Sequence, residues 1–357
     1  MKPRSRPLLF GVLAGLAGSA LPGPGWAAFH DPIDTAAPQI ISASAQPMLA
    51  VATAGGHRVA VGSRGVALAW DPDARRWMQS MVPVQSDLVA ISLLPSGEGW
   101  ACGHGGVVLH SSDGGRHWTR QLDGPGAQRQ FAAYLQAHPV PAGQADDPAR
   151  DQIQLNFKPG SSPLPWLGIW FGNAGTGYIV GSFGDIASSS DGGATWQPWL
   201  DHVENPNFLD LNAIANIGGQ LYIVGEQGMV YIRDATTGRF AQHATGYNGS
   251  LFGLTGTLKT LLVFGLRGTV LRSTDAGLTW TRSDNPLPTT ILTGVAMPDG
   301  RFVLGTVDGQ ILTSRDDGRS FRAEQPAVPL AVVDMAVAGD HELAIASLEG
   351  VSMVPFR

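Results

Sequence analysis

The sequence predicts an all-β fold in which seven repeated four-stranded units close into a ring. Three observations lead there: a turn phrase that recurs at one spacing, apolar strands that end on small residues at a near-constant interval, and no crossover-length helical pattern between them. Composition agrees, since Gly (47) and Pro (25) make up about a fifth of the 357 residues with no collagen-like period. That content suits many short strands joined by many turns.

The turn phrase is Ser-x-Asp-x-Gly-x-x-Trp/Phe, an Asp-box. Its first copy is Ser111, Asp113, Gly115 and Trp118, its second Ser189, Asp191, Gly193 and Trp196. The third is Ser273, Asp275, Gly277 and Trp280, the fourth Ser314, Asp316, Gly318 and Phe321. Looser copies with one extra residue run from Asp71 to Trp77 and from Asp234 to Phe240. Upstream of each, an apolar strand ends at Gly62, Gly103, Gly181, Gly225, Gly265, Gly305 or Ala346, at intervals of 41, 78, 44, 40, 40 and 41. Residues 122–166 account for the long interval and read as an insertion between units two and three.

Each unit parses into short strands. In the sixth, Leu292–Ala296, Arg301–Leu304 and Gln310–Thr313 are separated by Asp299-Gly300 and Asp308-Gly309 turns, and Phe321 opens a fourth strand. Four strands per repeat without helices is the pattern of a β-propeller blade. The seventh unit, Val332 to Arg357, stops after three strands. The β-like stretch Gln39-Ile-Ile-Ser-Ala-Ser44 is therefore expected to supply the fourth strand of the last blade and close the ring, removing exposed sheet edges. The propeller then spans residues 38–357 as one domain.

The Asp-box residues read as structural. An Asp carboxylate and a Ser hydroxyl can accept turn N–H groups, Gly two residues after the Asp allows positive φ, and the aromatic wedges between sheets. Calcium shared by Asp113, Asp191, Asp275 and Asp316 is excluded, because the four belong to different blades. No metal-ligand spacing and no phosphate-cradling Gly loop appear, so neither metal nor cofactor is expected.

Lys2, Arg4 and Arg6 precede an uncharged stretch from Leu8 to Leu21, then Pro22 to Gly25, with small residues Gly25 and Ala27 at a cleavage site. Residues 1–27 thus read as a signal peptide cut after Ala27, its apolar run too short to span a bilayer. The expectation is an exported, periplasmic chain. The formal charge of −6 argues against nucleic-acid binding. The lone Cys102 excludes a disulfide framework and, in Trp100-Ala-Cys102, reads as a buried small hydrophobe.

Together with the Asp-boxes, strand endings such as Val180-Gly-Ser-Phe-Gly184 and Val224-Gly-Glu-Gln-Gly228 resemble the photosystem II assembly/stability factor family, the Ycf48-like proteins, over Pro38 to Arg357. The resemblance implies a non-enzymatic, monomeric scaffold that holds a membrane protein or its precursor at the membrane surface. In a bacterial relative without a photosystem the client is another membrane protein. The insertion, two imperfect Asp-boxes and low basic content depart from that pattern. The rival class is an Asp-box carbohydrate-active propeller, hydrolase or lectin. It lacks an Arg-Ile-Pro motif here, and three of its five tyrosines (Tyr178, Tyr222 and Tyr231) fall in strands.

Strand order places the second-to-third-strand turns on one face together with the links between blades. Those turns present Arg64, His104, Asp185, Glu226 (with Gln227), Arg267, Asp308 and Glu349, one per blade, as a ring of mixed charge. Arg64 and Arg267 lead, because a guanidinium can clamp a carboxylate with two parallel bonds. The insertion leaves from the same face, and its Phe157 and Trp166 are expected partner contacts on a loop covering the top. Trp170 and Phe171 are expected in the inner strand of blade three.

Overall fold

A computed structural model describes residues 30–140, 147–324 and 331–356. The expected signal peptide, residues 1–27, lies outside the described residues. From Asp31 onward the chain forms one unit of seven antiparallel sheets. Their inner strands are Met48–Ala54, Leu88–Leu93, Trp166–Phe171, Leu211–Ile217, Leu251–Gly256, Ile291–Ala296 and Val332–Gly339. Each packs on the next and the last packs on the first, so the seven-bladed β-propeller closes as the repeat arithmetic predicts.

The second strand of each blade is a continuous apolar run. Gly177–Gly181, Leu261–Gly265 and Phe302–Thr306 are buried at every position. A neighbouring blade covers each face of the sheet, so no polar alternation is needed. The blades lock through rings: Trp100 of blade two stacks on Phe171 of blade three at 3.8 Å between centroids and 7° between planes. Cys102 is fully buried beside them, and burial raises its thiol far above the usual range.

The four full Asp-boxes share one geometry. In the first, Ser111 Oγ accepts from Gly115 N (3.0 Å) and donates to Asp113 Oδ1 (2.9 Å), and Oδ1 also accepts from His117 N (3.0 Å). Ser189, Ser273 and Ser314 repeat this, accepting from Gly193 N, Gly277 N and Gly318 N at 2.8–2.9 Å and donating to Asp191, Asp275 and Asp316. The second Asp oxygen takes the side chain four residues on: His117 Nδ1, Thr195, Thr279 or Ser320, at 2.6–2.7 Å.

The glycines and aromatics of the boxes face the neighbouring blade rather than solvent. Gly115, Gly193, Gly277 and Gly318 are buried, with φ of 82°, 86°, 93° and 76°. A Cβ on each would meet the preceding blade: Val59 beside Gly115, Gln121 beside Gly193, Ile232 beside Gly277 and Leu262 beside Gly318. Trp118, Trp196 and Phe321 are buried in the cores between blades, and Trp118 Nε1 donates to Gly115 O (2.9 Å). Trp196 also meets Phe171 edge-on. Trp280 departs from the expected wedge: it is only partly buried and packs at the margin of the core between blades four and five. The Nε1 atoms of Trp196 and Trp280 have no hydrogen-bond partner among the described residues. None of Trp118, Gly193, Trp196, Gly277, Trp280 and Gly318 is placed to take a ligand in common with another box. The boxes are clasps between blades.

Two expectations are corrected. The last blade has three strands, because residues 39–44 do not form a fourth. The stretch instead ends in a 3-10 turn at Ala43–Ala45, closed by Ala45 N to Ser42 O and Gln46 N to Ala43 O. Its backbone bonds go to side chains of blade one: Ile40 N donates to Gln79 Oε1, and Gln79 Nε2 to Pro38 O. Ala43 still packs beside Val351, so the segment bridges blades seven and one as a strap rather than a strand.

The ring seam is instead fastened by Asp334. Its Oδ2 accepts from Val51 N of blade one (2.9 Å), and its Oδ1 from Thr293 Oγ1 of blade six (2.9 Å) and Met335 N (2.8 Å). Thr53 Oγ1 to Val337 O and Arg58 Nη2 to Ala338 O add to the seam.

The second correction concerns the insertion, expected as a loop covering the top: much of its described part is helical. It contains helix α1, Gly124–Ala137, and helix α2, Pro148–Asn156, each capped by an Asp side chain at its start. Residues 141–146 between them lie outside the described residues. Ala127, Phe131 and Leu135 recur every four residues and bury one face of α1 against Ile153 of α2 and the blade-three core.

Candidate partner-binding face

The second-to-third-strand turns are built alike in five blades, on the pattern Gly-x-x-Gly. The residue two after the first Gly takes left-handed backbone: Arg64 (φ 55°), Gly105 (φ 72°), Phe183 (φ 54°), Gln227 (φ 52°) and Arg267 (φ 56°). Left-handed backbone costs a non-glycine residue about 1–2 kcal/mol, and Gly would be cheaper at all four non-glycine positions. Acids on the following link hold two of these turns: Arg64 N donates to Asp87 Oδ1 and Phe183 N to Asp210 Oδ1, both at 2.7 Å. Strain kept at one recurring position marks a place where side-chain identity matters.

Arg64, His104 and Arg267 are exposed here as expected. Glu226 is half-buried, and its Oε2 accepts from Asp210 N (3.0 Å), while its neighbour Gln227 holds the apex. Asp308 is exposed but engaged by Thr306 Oγ1 and Gln310 Nε2, contacts that lower its carboxyl pKa. Glu349 accepts from Ala331 N (3.0 Å).

Three candidates are corrected. Asp185 is 1% exposed. The apex of blade three is Phe183, two residues earlier, and Asp185 is buried just ahead of the third strand. Burial raises the Asp185 carboxyl well above its usual range, a bond from Asn156 Nδ2 (2.7 Å) opposes the rise, and the Asp210 charge adds to it. Its Oδ2 has no partner among the described residues. Trp166 is 2% exposed, with Nε1 donating to Gly106 O (3.2 Å). Phe157 meets Phe131 edge-on and stacks against Trp166. Both rings dock the insertion onto its own blades, so neither is offered to a partner. The apolar side chains that are exposed on these turns are Phe183, Val307 and Leu348, which charge alone does not flag.

The same face opens onto the central channel, of about 570 Å³. Every inner strand carries a β-bulge at its second residue, where pairing skips one position. The skipped residues are Leu49, Val89, Leu167, Asn212, Phe252, Leu292 and Val333, and all line the channel. Bulges aim side chains that regular pairing would turn away. The inner strands start at the loop face, so these seven form a collar at that mouth, apolar except for Asn212. Among the described residues lining the channel, Asp334 is the one ionisable group, and burial pushes its carboxyl up to about 6 against its three hydrogen bonds. Among the described residues no three or more His, Cys, Asp or Glu side chains converge as a metal site would require.

No family model and no curated protein sequence matches the chain. Solved structures do. A structure described as YCF48 bound to a D1 peptide superposes with a TM-score of 0.60 at 16% identity, over 88% of this chain and 94% of that one. YCF48 from Cyanidioschyzon merolae gives 0.61 at 15%, over 90% and 98%. A streptogramin B lyase gives 0.65 at 14%, over 88% and 94%. The chain therefore has a Ycf48-like seven-bladed propeller fold, one that also occurs in a protein named as an enzyme.

Proposed function

We propose that this chain is an exported, monomeric, non-enzymatic adaptor that binds a segment of a membrane protein or its precursor on its loop face. The observation that carries the reading is the ring of strained apex residues around an apolar collar. Arg64 and Arg267 provide two exposed guanidinium groups, and Phe183, Val307 and Leu348 provide apolar contacts between them. Such a surface suits an extended peptide with scattered acids better than a small substrate. A propeller of the same fold in complex with a D1 peptide supports peptide binding as a use of this architecture. Export with a cut after Ala27 follows from the signal-like start, and a membrane-surface client fits that address.

A two-carboxylate hydrolase mechanism has little to work with, because the channel offers Asp334 alone. The test is affinity capture of the tagged mature protein from membranes of its own cells, beside an Arg64→Glu/Arg267→Glu variant. One membrane protein enriched by the native chain and lost with the variant is the expected result. Equal capture by both, or no membrane protein at all, rejects the reading.

A further inference from the structure

On the Asp-box face, opposite the apex ring, blades three and four enclose a pocket of about 180 Å³. Its blade-three wall is aromatic. Trp170 and Tyr178 are register partners on adjacent strands, their rings 6.3 Å apart and 23° from parallel. Blade four supplies polar groups: Arg233 from the end of its third strand, and Asn216 and Gln220 from the turn between its first two. Gln220 Nε2 is bound to the backbone carbonyls of Leu221 and Arg233. Asn216, at the pocket margin, accepts Gly219 N at its Oδ1 (3.0 Å).

Arg233 is the unusual member. Its Nε is buried with no hydrogen-bond partner. It takes part in none of the ion pairs among the described residues. The neighbouring Asp234 feels its charge, but the Asp234 carboxylate is exposed and caps its own turn through Thr236 N and Thr237 N. A guanidinium buried in part without an anion is a costly arrangement that a bound carboxylate would relieve.

The geometry points to a binding site for a carboxylate carried on a single six-membered ring: the carboxylate pairs with Arg233 while the ring lies along Trp170 and Tyr178. A cavity of about 180 Å³ falls below the about 300–1,000 Å³ of sites for drug-sized ligands, which suits a single ring. An aromatic wall beside a few placed polar groups is the usual make-up of a small-molecule site. Uronic sugars and aromatic acids share this chemistry, and Asn216 together with Thr176, also in the lining, gives hydroxyl groups something to bond.

The test is calorimetric titration with D-glucuronate, D-glucose and benzoate, on the native chain and on Arg233→Met and Trp170→Ala. Saturable glucuronate binding is expected, with glucose at least about tenfold weaker and the Arg233→Met variant weakened to a similar degree. Benzoate binding more tightly than glucuronate assigns the site to aromatic acids and keeps the carboxylate-on-ring chemistry. No saturable binding of either acid up to about 10 mM, or binding unchanged in Arg233→Met, overturns the inference. Should Arg233→Met fail to fold, Arg233→Gln removes the charge while keeping a polar side chain, and binding equal to native would likewise overturn it. Loop-face capture of a protein client is read separately and does not depend on Arg233.

Discussion

Replacing Asp334 by Asn tests how the ring closes. The carboxylate joins blades six, seven and one through Thr293, Met335 and Val51. Burial moves it from 3.8 to about 6. The folded chain therefore holds a proton that the unfolded chain releases between pH 4 and 6. Its stabilising contribution is full below about pH 4 and is lost as pH rises through 6. That displacement corresponds to about 3 kcal/mol in full, of which about 2 kcal/mol falls between pH 4 and pH 7. An Asn keeps one oxygen for Thr293 and Met335 but turns an amide N–H toward Val51 N–H, losing one bond of about 1 kcal/mol at every pH. Urea unfolding of both proteins at pH 4, 5, 6 and 7 gives the difference directly, because every other titrating group cancels. The native chain should lose stability relative to the variant by about 2 kcal/mol across that range. A gap that stays constant with pH would refute Asp334 as a buried, titrating fastener of the seam.

Other outcomes follow from the same geometry. Phe131→Ala should cost about 3–5 kcal/mol in the insertion, read as faster amide exchange across α1 and α2 while the blade strands stay protected. Gly115→Ala puts a Cβ 2.7 Å from Val59 Cγ2 at φ 82°, whereas Gly56→Ala at φ 88° meets nothing. Both carry backbone strain of about 1–2 kcal/mol, and the clash at Gly115 should lower its unfolding midpoint well beyond that of Gly56→Ala. Turn hydrogen bonds lower the Asp275 carboxyl to about 2. The stability it gives is present above pH 4 and lost as pH falls toward 2, so Asp275→Asn should flatten the acid side of the melting profile. Arg267→Gly, at φ 56°, should leave stability equal or slightly higher while client binding falls.

The blade count and the Asp-box clasps are legible because each depends on residues close in sequence. A Ser, an Asp and a Gly within five positions make the same turn wherever they fall, and seven small residues at a near-constant period mark seven second strands. How deeply the box aromatic sinks is not local, which is why Trp280 sits shallower than Trp118 and Trp196 on the same motif. The apex residue is harder. Asp185 looks equivalent to Arg64 by its charge, but the Gly-x-x-Gly offset assigns that position to Phe183. The insertion misleads because Pro, Gly, Gln and Asp are mixed through Pro139 to Asp151, although Asp123 with Pro125, and Asp147 with Pro148, are helix-start signals and 127/131/135 is a helical stripe.

The closing strand fails for a different reason. Alternation in Gln39 to Ser44 fits a strand locally, yet the Gln79 side chain of blade one takes its backbone bonds, and Ile41 is left fully exposed. The collar is invisible in the sequence, since a bulge has no residue signature and appears only when two strands are set in register. The Arg233 pocket likewise joins residues from blades that are separate in sequence.

On the reading proposed above, the loop face, and not the Asp-box face, receives a protein client. Site-specific photocrosslinking tests it most directly, with one crosslinker at position 183 on an apex turn and one at position 278 on the third full Asp-box, both exposed in the native chain. Crosslinks to a membrane protein from position 183 and none from 278, abolished by Arg64→Glu/Arg267→Glu, are the predicted result. Crosslinks from 278 alone, or from neither position, would contradict it.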